Sequence, residues 1–121
     1  MEYSLRILCT IPTLNEYINV ERANRYSAAA LKKKVGKKVA MEAMGFKLPK
    51  NTKFDLLLTW YKKDNRKDHD NISFGIKFIL DGIVSTGALK GDSPRFIGNI
   101  SHKFELSANK TDYCVITFIE I

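Results

Sequence analysis

The sequence has little of what marks a secreted, membrane-spanning or disulfide-stabilised protein. Its two cysteines, Cys9 and Cys114, stand far apart and lack metal-ligand spacing. No apolar run approaches the roughly 20 residues that cross a bilayer. The start, MEYSLRILCTIP, lacks the basic head and long apolar run of a signal peptide. These absences predict a cytoplasmic protein without a membrane partner, in which both cysteines are small core residues.

Acidic residues are also in short supply. The chain has 20 lysines and arginines against 13 aspartates and glutamates, which gives a net charge of +7. Such a surplus favours a polyanionic partner, either nucleic acid or an anionic membrane surface. The length of 121 residues suits one domain with a real core but not comfortably two. With no repeat and no low-complexity linker, residues 1–121 are predicted to form a single domain.

Hydrophobic patterning predicts six secondary-structure elements. Strands are predicted at 3–11, 52–62, 95–106 and 112–121. Helices are predicted at about 21–44, where Leu31, Val35 and Val39 form one apolar stripe, and at about 70–84. The segment TLNEYINVERANRY is predicted to be a polar lead-in to the first helix. The order β-α-β-α-β-β predicts a single-domain α+β fold in which two helices pack on a mixed sheet.

The few acids gather around the start of the second predicted helix. Its first residues lie in the stretch KDHDN at 67–71. At about 100° per residue, Lys77 and Asp81 fall within roughly 20° of Asp70 on the helix wheel. Asp68 precedes this stripe and Asn71 follows Asp70 directly. Four isoleucines lie on the opposite side and are predicted to face the sheet: Ile72, Ile76, Ile79 and Ile83.

Converging carboxylates in a basic chain are typical ligands for Mg²⁺, which takes oxygen donors and commonly binds one or two carboxylates plus substrate phosphate and water. A metal held in this way activates water and stabilises charge during phosphodiester cleavage. A neighbouring lysine neutralises a phosphate or a leaving oxygen. Each acid also has a simpler interpretation: Asp68 or Asp70 as a helix N-cap, Asp81 as an ion-pair partner of Lys77, and Asp92 as a turn residue.

Together, the stretches KDHDN, KFILDGIV and ALKGDSPRFI resemble the RusA-type Holliday junction resolvases, especially the branch carried by phages and prophages. The resemblance covers most of the chain from Ile11 to Ile100. It implies a homodimeric, Mg²⁺-dependent endonuclease, with Mn²⁺ as an alternative ion, that resolves four-way DNA junctions by paired nicks in a bacterial or phage-infected cell. It implies metal-binding and catalytic roles for Asp68, Asp70 and Asp92, a catalytic role for Lys77, and supporting roles for Asn71 and Asp81.

The chain departs from the family pattern at three places. Gly91 precedes Asp92 where many members carry a second acid, and the spacing from Asn71 to Asp81 is longer than in some members by about one helical turn. His69 lies between the two aspartates, either as a general base or metal ligand or as an exposed loop residue. Two alternatives therefore stay open: a non-catalytic DNA-binding accessory of phage recombination or replication, and a flap or RNA nuclease that uses the same acids.

Basic residues supply the predicted DNA contacts, which would be salt-sensitive and largely independent of sequence. The predicted phosphate-binding residues are Arg22, Arg25, Lys33, Lys34, Lys37, Lys38, Lys62, Lys63, Arg66 and Lys67. A solvated charged face is the alternative explanation of the lysine run. Because two strands are cut and one domain offers one site, a two-fold dimer is expected. Phe74 and Phe78 fall away from the isoleucine face and are predicted to join a subunit interface or a second packing layer.

Overall fold

The computed structural model describes residues 1–121 as one four-stranded sheet with four helical segments. The strands are β1 (Glu2–Ile7), β2 (Phe54–Lys62), β3 (Ile97–Leu106) and β4 (Tyr113–Glu120), and the helices are α1 (Leu14–Ala23), α2 (Arg25–Glu42), α3 (His69–Ser73) and α4 (Ile76–Ser85). The strand order is β1-β4-β2-β3. Strand β2 runs parallel to β3, and β4 runs antiparallel to both β1 and β2. The predicted single α+β domain with a mixed sheet is confirmed.

One face of the sheet forms the core, because side chains alternate along each strand. In β2 the inward-facing residues Phe54, Leu56, Leu58 and Trp60 are all buried, while the residues between them are only partly covered. The core joins this face to buried residues of α2 and α4, including Val35, Val39, Ile79 and Ile83. The predicted apolar stripe of α2 and the sheet-facing isoleucines of α4 therefore belong to the core. None of the helices combines the length and the apolar character needed to cross a membrane.

The predicted polar lead-in is wrong, because residues 14–23 form helix α1. Thr13 caps this helix through a capping box: its hydroxyl accepts from the Glu16 backbone N–H, and the Glu16 carboxylate accepts from the Thr13 N–H. Asn24 then separates α1 from α2, and its Oδ1 accepts from the Tyr26 N–H at 2.8 Å. The single helix predicted for 21–44 is thus the end of α1 followed by α2.

The second predicted helix is also divided. Between α3 and α4 the Gly75 N–H donates to the Ile72 carbonyl at 3.0 Å and the Lys77 N–H to the Phe74 carbonyl at 3.4 Å. These bonds join residues three apart, so this turn is wound more tightly than an α-helix. A Cβ at Gly75 would collide with the side chain of Ile11, so glycine permits this close passage. The tight turn also changes the angular relation between residues before and after it.

The two phenylalanines of this segment lie against α1. Phe78 is 3% exposed, and its ring meets the Tyr17 ring edge-on with centroids 6.0 Å apart. Phe74 is half-buried, with its ring centroid 5.5 Å from that of Tyr17. The second packing layer is therefore confirmed for Phe78, which its own chain buries, while a part for the half-buried Phe74 in a subunit interface stays a prediction. The physical reason is α1, which supplies within one chain the apolar cover that a dimer partner was expected to provide.

Helices α2 and α4 cross closely at Gly82. A Cβ built there would lie 2.5 Å from Val39 Cγ1 and 3.1 Å from the Gly36 carbonyl oxygen. Both distances are shorter than ordinary van der Waals contact, and Val39 is fully buried. A glycine at position 82 therefore sets how closely α4 approaches α2, and with it the position of the residues that α4 carries.

We expect Gly82→Ala to lower the free energy of unfolding by about 1–2 kcal/mol, because overpacking outweighs the gain in helix propensity. The matched control is Gly36→Ala on α2, where a Cβ meets nothing within 4 Å. That change should raise the free energy of unfolding by about 0.5–1 kcal/mol. Urea unfolding of both variants measures the difference. Equal stability of the two variants would mean that the crossing is not tight.

Candidate active site

Lys77 joins helix α4 to the loop that precedes β3. Its Nζ lies 3.2 Å from Asp81 Oδ1 and 3.1 Å from Asp92 Oδ2. The contact with Asp81 confirms that these residues share one face of the helix, four positions apart. All three side chains are substantially exposed. The structure thus places a lysine ammonium between two carboxylates that the sequence had grouped with it.

The two carboxylates raise the pKa of the Lys77 ammonium above its ordinary value, chiefly through the hydrogen bond to Asp92 and then through that to Asp81. The raised pKa keeps Nζ protonated throughout the neutral range. Any stabilisation from this ion pair is present below the ordinary lysine pKa and is lost as the pH rises through the raised value. Lys77 is therefore suited to act as a fixed cation and hydrogen-bond donor and unsuited to act as a base.

We expect Asp92→Asn to move the pKa of Lys77 back toward its ordinary value, since the hydrogen bond to Asp92 is the largest cause of the shift. Asp81→Asn should give a smaller change in the same direction. Asp112→Asn serves as the control, because Asp112 accepts from the Lys63 backbone and does not contact Lys77. Titration of the Lys77 side chain by NMR measures all three. An unchanged pKa in Asp92→Asn would contradict the bridging geometry.

Asp68 and Asp70 stand at the start of α3 with oxygens open to solvent. Asp68 occupies the N-cap position, yet its side chain makes no capping hydrogen bond. Asp70 lies in the first turn, and its Oδ1 accepts from the Asn71 N–H at 3.0 Å. Both residues are exposed. The N-cap explanation is therefore not realised for Asp68, and both carboxylates can accept further ligands.

Helix α1 holds this acidic turn from one side. The Asn15 N–H donates to Asn71 Oδ1 at 2.8 Å. Lys67 Nζ lies 3.8 Å from Glu16 Oε1. These contacts give Asn71 a structural connection to the start of α1. The sequence offered no way to foresee them while α1 itself was missed.

The sheet holds the same turn from the other side. The His69 ring stacks on the Phe104 ring of β3, with centroids 3.9 Å apart and planes within 7° of parallel. His69 Nε2 also lies 3.1 Å from Nζ of Lys62. Lys62 is 8% exposed, so it is withdrawn from the predicted phosphate contacts because its side chain does not reach solvent. His69 is exposed, as one of its two interpretations expected, and one face of its ring packs on Phe104.

The remaining basic residues of the predicted set are exposed. They are Arg22, Arg25, Lys33, Lys34, Lys37, Lys38, Lys63, Arg66 and Lys67. Only Arg66 and Lys67 have an acidic partner, Asp64 and Glu16 respectively. The four lysines of this set on α2 form no ion pair, so they present unbalanced positive charge to solvent. Such a surface suits contact with a polyanion. A charged face that contacts only water would look the same.

A cavity of about 1000 Å³ lies between the end of α2 and the residues that follow α4, and none of the four candidate acids lines it. A smaller cavity of about 430 Å³ adjoins the loop before α3. Three exposed lysines line this recess, Lys63, Lys67 and Lys110. Of the two, the smaller cavity is closer to the candidate acids, because residues of the loop that leads into Asp68 line it. It offers a basic recess beside the acidic turn.

Neither cysteine is a candidate nucleophile. Burial and the neighbouring Glu42 carboxylate raise the pKa of the Cys9 thiol to about 12. Burial raises the pKa of the Cys114 thiol to about 12 as well. Because the thiolate is the reactive form, both groups stay protonated and inert at neutral pH. Cys114 fits its predicted place in the core, while Cys9 is only half-buried, beyond the end of β1.

The donor chemistry of the acidic turn suits Mg²⁺, although the arrangement is not a closed cage. No group of three or more His, Cys, Asp or Glu side chains is placed to hold a metal ion. Mg²⁺ commonly uses only one or two protein carboxylates and takes its other ligands from water and substrate phosphate. Asp68 and Asp70 satisfy that requirement by residue type and exposure. Asp92 is instead engaged by Lys77.

Comparison with known proteins adds no family to this picture. No protein-family model matches the chain, and none of the curated proteins matches it. The resemblance to RusA-type resolvases therefore rests on the residues of the segment 68–92.

Proposed function

We propose that the chain is a Mg²⁺-dependent, structure-specific endodeoxyribonuclease that resolves four-way DNA junctions by paired nicks. One observation carries the proposal. The chain presents Asp68 and Asp70 with free oxygens at the start of α3 and, shortly after, a protonated Lys77 hydrogen-bonded to Asp92. Acids that suit a hard cation, followed along a strongly basic chain by a lysine ammonium held between two carboxylates, match what phosphodiester cleavage requires.

In this proposal Asp68 and Asp70 would hold the metal ion, and Asp92 would join them on release from Lys77. A bound Mg²⁺ would supply an activated water and offset the charge that builds on the phosphate. Lys77 keeps a proton on Nζ and places it against a phosphate or leaving oxygen. Asp81 holds Nζ in position through the contact four residues along the helix. Asn71 supports the turn through its bond to the Asn15 backbone.

Two further parts of the proposal come from the reaction itself. Paired nicks need two sites, and one chain offers one, so the active form is proposed to be a homodimer with two-fold symmetry. The choice of a four-way junction comes from the family resemblance, since no residue type encodes junction geometry. Contacts to the sugar–phosphate backbone would position the DNA without reading its sequence.

A non-catalytic DNA-binding accessory is the second candidate. The observation in its favour is that Lys77 occupies Asp92, while Gly91 supplies no additional carboxylate at that point of the loop. Such a protein would bind branched DNA through the same basic surface. It would not cut DNA in Mg²⁺ or Mn²⁺.

The test uses a labelled synthetic four-way junction beside a linear duplex of the same sequence, a flap substrate and an RNA duplex. The proposal expects symmetric nicks in the junction that need Mg²⁺ and disappear when EDTA is added. Cleavage concentrated on the flap or on RNA would replace the junction assignment with the other nuclease class. Tight junction binding without cleavage in either Mg²⁺ or Mn²⁺ would favour the accessory protein.

The salt dependence of DNA binding tests the basic surface by itself. Changing Lys33, Lys34, Lys37 and Lys38 together to glutamine should weaken binding and lower the slope of log K against log salt by about 0.9 for each phosphate that the protein no longer neutralises. The matched control changes four exposed lysines outside the predicted set, Lys47, Lys50, Lys53 and Lys90. Equal slopes for the two variants would mean that α2 presents only a hydrated face.

A further inference from the structure

Lys62 is a lysine in a position that suits an apolar residue. It ends the inward-facing series of β2, after four buried apolar side chains. It is 8% exposed and forms no ion pair, since its Nζ contacts only Asn65 Oδ1 at 3.0 Å and His69 Nε2 at 3.1 Å. Burying a cation among neutral partners costs stability relative to an apolar residue of similar size. A property other than stability must therefore account for the presence of a lysine at this position.

The contact with His69 supplies that reason. A lysine ammonium can only donate hydrogen bonds, so Nε2 of the imidazole accepts and the ring proton resides on Nδ1. One face of the same ring lies flat on Phe104. His69 is thus fixed both at a nitrogen and across its ring. With Nε2 engaged by Lys62, His69 is poorly placed to act as a general base or metal ligand through that atom.

We infer that Lys62, His69 and Phe104 form a positioning clamp that holds the turn 68–70 against the sheet and presents Asp68 and Asp70 outward. All three residues of the turn are exposed, but only His69 makes side-chain contacts with the sheet, through Lys62 and Phe104. The use of this clamp rests on the proposed nuclease function. None of the three residues is a catalytic residue, since each acts only through the acids that the clamp positions.

The geometry explains why the clamp joins two strands. Lys62 and Phe104 belong to the parallel strands β2 and β3, where Phe104 pairs with Trp60, two residues before Lys62. His69 lies across both strands beyond the loop 63–68. Fixing the turn to two strands at once limits both its tilt and its distance from the sheet. On the other side, the bond from the Asn15 N–H to Asn71 Oδ1 restrains the turn from α1.

The principal test is Lys62→Met, which keeps the length of the side chain and removes its charge. We expect the urea midpoint to stay level or rise, because a buried cation is replaced by an apolar group. Mn²⁺ affinity, measured by electron paramagnetic resonance, and the Mg²⁺ requirement for junction cleavage should each weaken by about tenfold, as for residues that orient metal ligands. Lys53→Met is the matched control, since Lys53 is exposed, directly precedes β2 and lies outside the predicted DNA contacts.

A second pair of variants tests the stacking contact. Phe104→Tyr retains the ring and should behave as the wild type in Mn²⁺ affinity. Phe104→Leu removes the flat contact with His69 and should weaken Mn²⁺ affinity as Lys62→Met does. Wild-type Mn²⁺ affinity in Phe104→Tyr together with weaker affinity in Phe104→Leu would show that the aromatic ring positions the turn, and that side-chain volume alone is not enough. Equal Mn²⁺ affinity in the leucine and tyrosine variants would overturn the role assigned to Phe104.

Hydrogen exchange separates failure of the clamp from failure of the nuclease proposal. The Ile72 N–H donates to the Asp68 carbonyl at 3.1 Å, so its exchange rate reports the order of the turn without any metal or DNA. The clamp expects faster Ile72 exchange in Lys62→Met than in the control Lys53→Met. A wild type that neither binds Mn²⁺ nor cuts DNA would refute the nuclease function and, with it, the use assigned to the clamp. Wild-type exchange in Lys62→Met, or a large fall in its urea midpoint, would overturn the clamp itself.

Discussion

Asp70→Asn is expected to reduce Mg²⁺-dependent cleavage of a four-way junction by about 10²- to 10³-fold, the scale on which loss of one electrostatic group lowers a rate. Asparagine keeps the size of the side chain and retains an oxygen that can accept from the Asn71 N–H, as Asp70 does now. The turn should therefore remain folded. What is removed is a negative oxygen at an exposed position, which is the property that binds a hard cation.

Asp70→Asn should lose cleavage of the junction while it keeps junction binding. Binding rests on the basic surface, so the dissociation constant should change little or improve as one negative charge is removed. Asp64→Asn is the matched control, because it removes a charge from the loop before the turn at a residue paired with Arg66. Gel-shift and single-turnover cleavage assays on the same junction measure both quantities. Cleavage by Asp70→Asn at the wild-type rate would exclude Asp70 from the site.

Phe118→Ala is expected to lower the free energy of unfolding by about 3–5 kcal/mol, the range for deleting a buried aromatic ring. Phe118 is fully buried on β4. Its ring meets Phe54 edge-on at 5.7 Å between centroids and Phe46 in a tilted arrangement at 5.8 Å. Removing the ring leaves a cavity at the centre of the sheet and ends two aromatic contacts at once.

The control for this prediction is Tyr26→Ala, another change from an aromatic residue to alanine. Tyr26 is 73% exposed on the first turn of α2. Its removal should alter the free energy of unfolding by no more than about 0.5 kcal/mol, as for most surface changes. Urea unfolding of both variants gives the comparison. A similar small effect for Phe118→Ala would mean that the core relaxes to fill the space.

Local sequence signals accounted for much of the fold. The strands near 54–62, 97–106 and 113–120 were predicted within a few residues, because each is a β-rich run bounded by turn residues. Helix α1 was missed because its polar composition hid it, yet Thr13 and Glu16 form the capping-box spacing that marks a helix start. That omission had a second effect: Phe74 and Phe78 were left without the Tyr17 ring that covers them.

The candidate site was predictable only where its contacts are local. The pairing of Lys77 with Asp81 follows from a spacing of four residues on one helix. The contact of His69 with Phe104 joins residues far apart in sequence. It depends on β3 lying beside β2 in parallel register. Periodicity within a segment carries no information on strand order, so the clamp became visible only with the three-dimensional structure.

The position of β1 in the sheet has a consequence for folding during synthesis. Its sole neighbour is β4, with Glu2 paired to Ile119 and Ile7 to Cys114. As the chain leaves the ribosome, β1 emerges early and must wait until residues 113–120 are available. Contacts between such distant segments make folding slow. We expect Leu5 and Ile7 to lack their strand partner until β4 has been synthesised, which makes this segment a natural target for chaperones that bind nascent apolar strands.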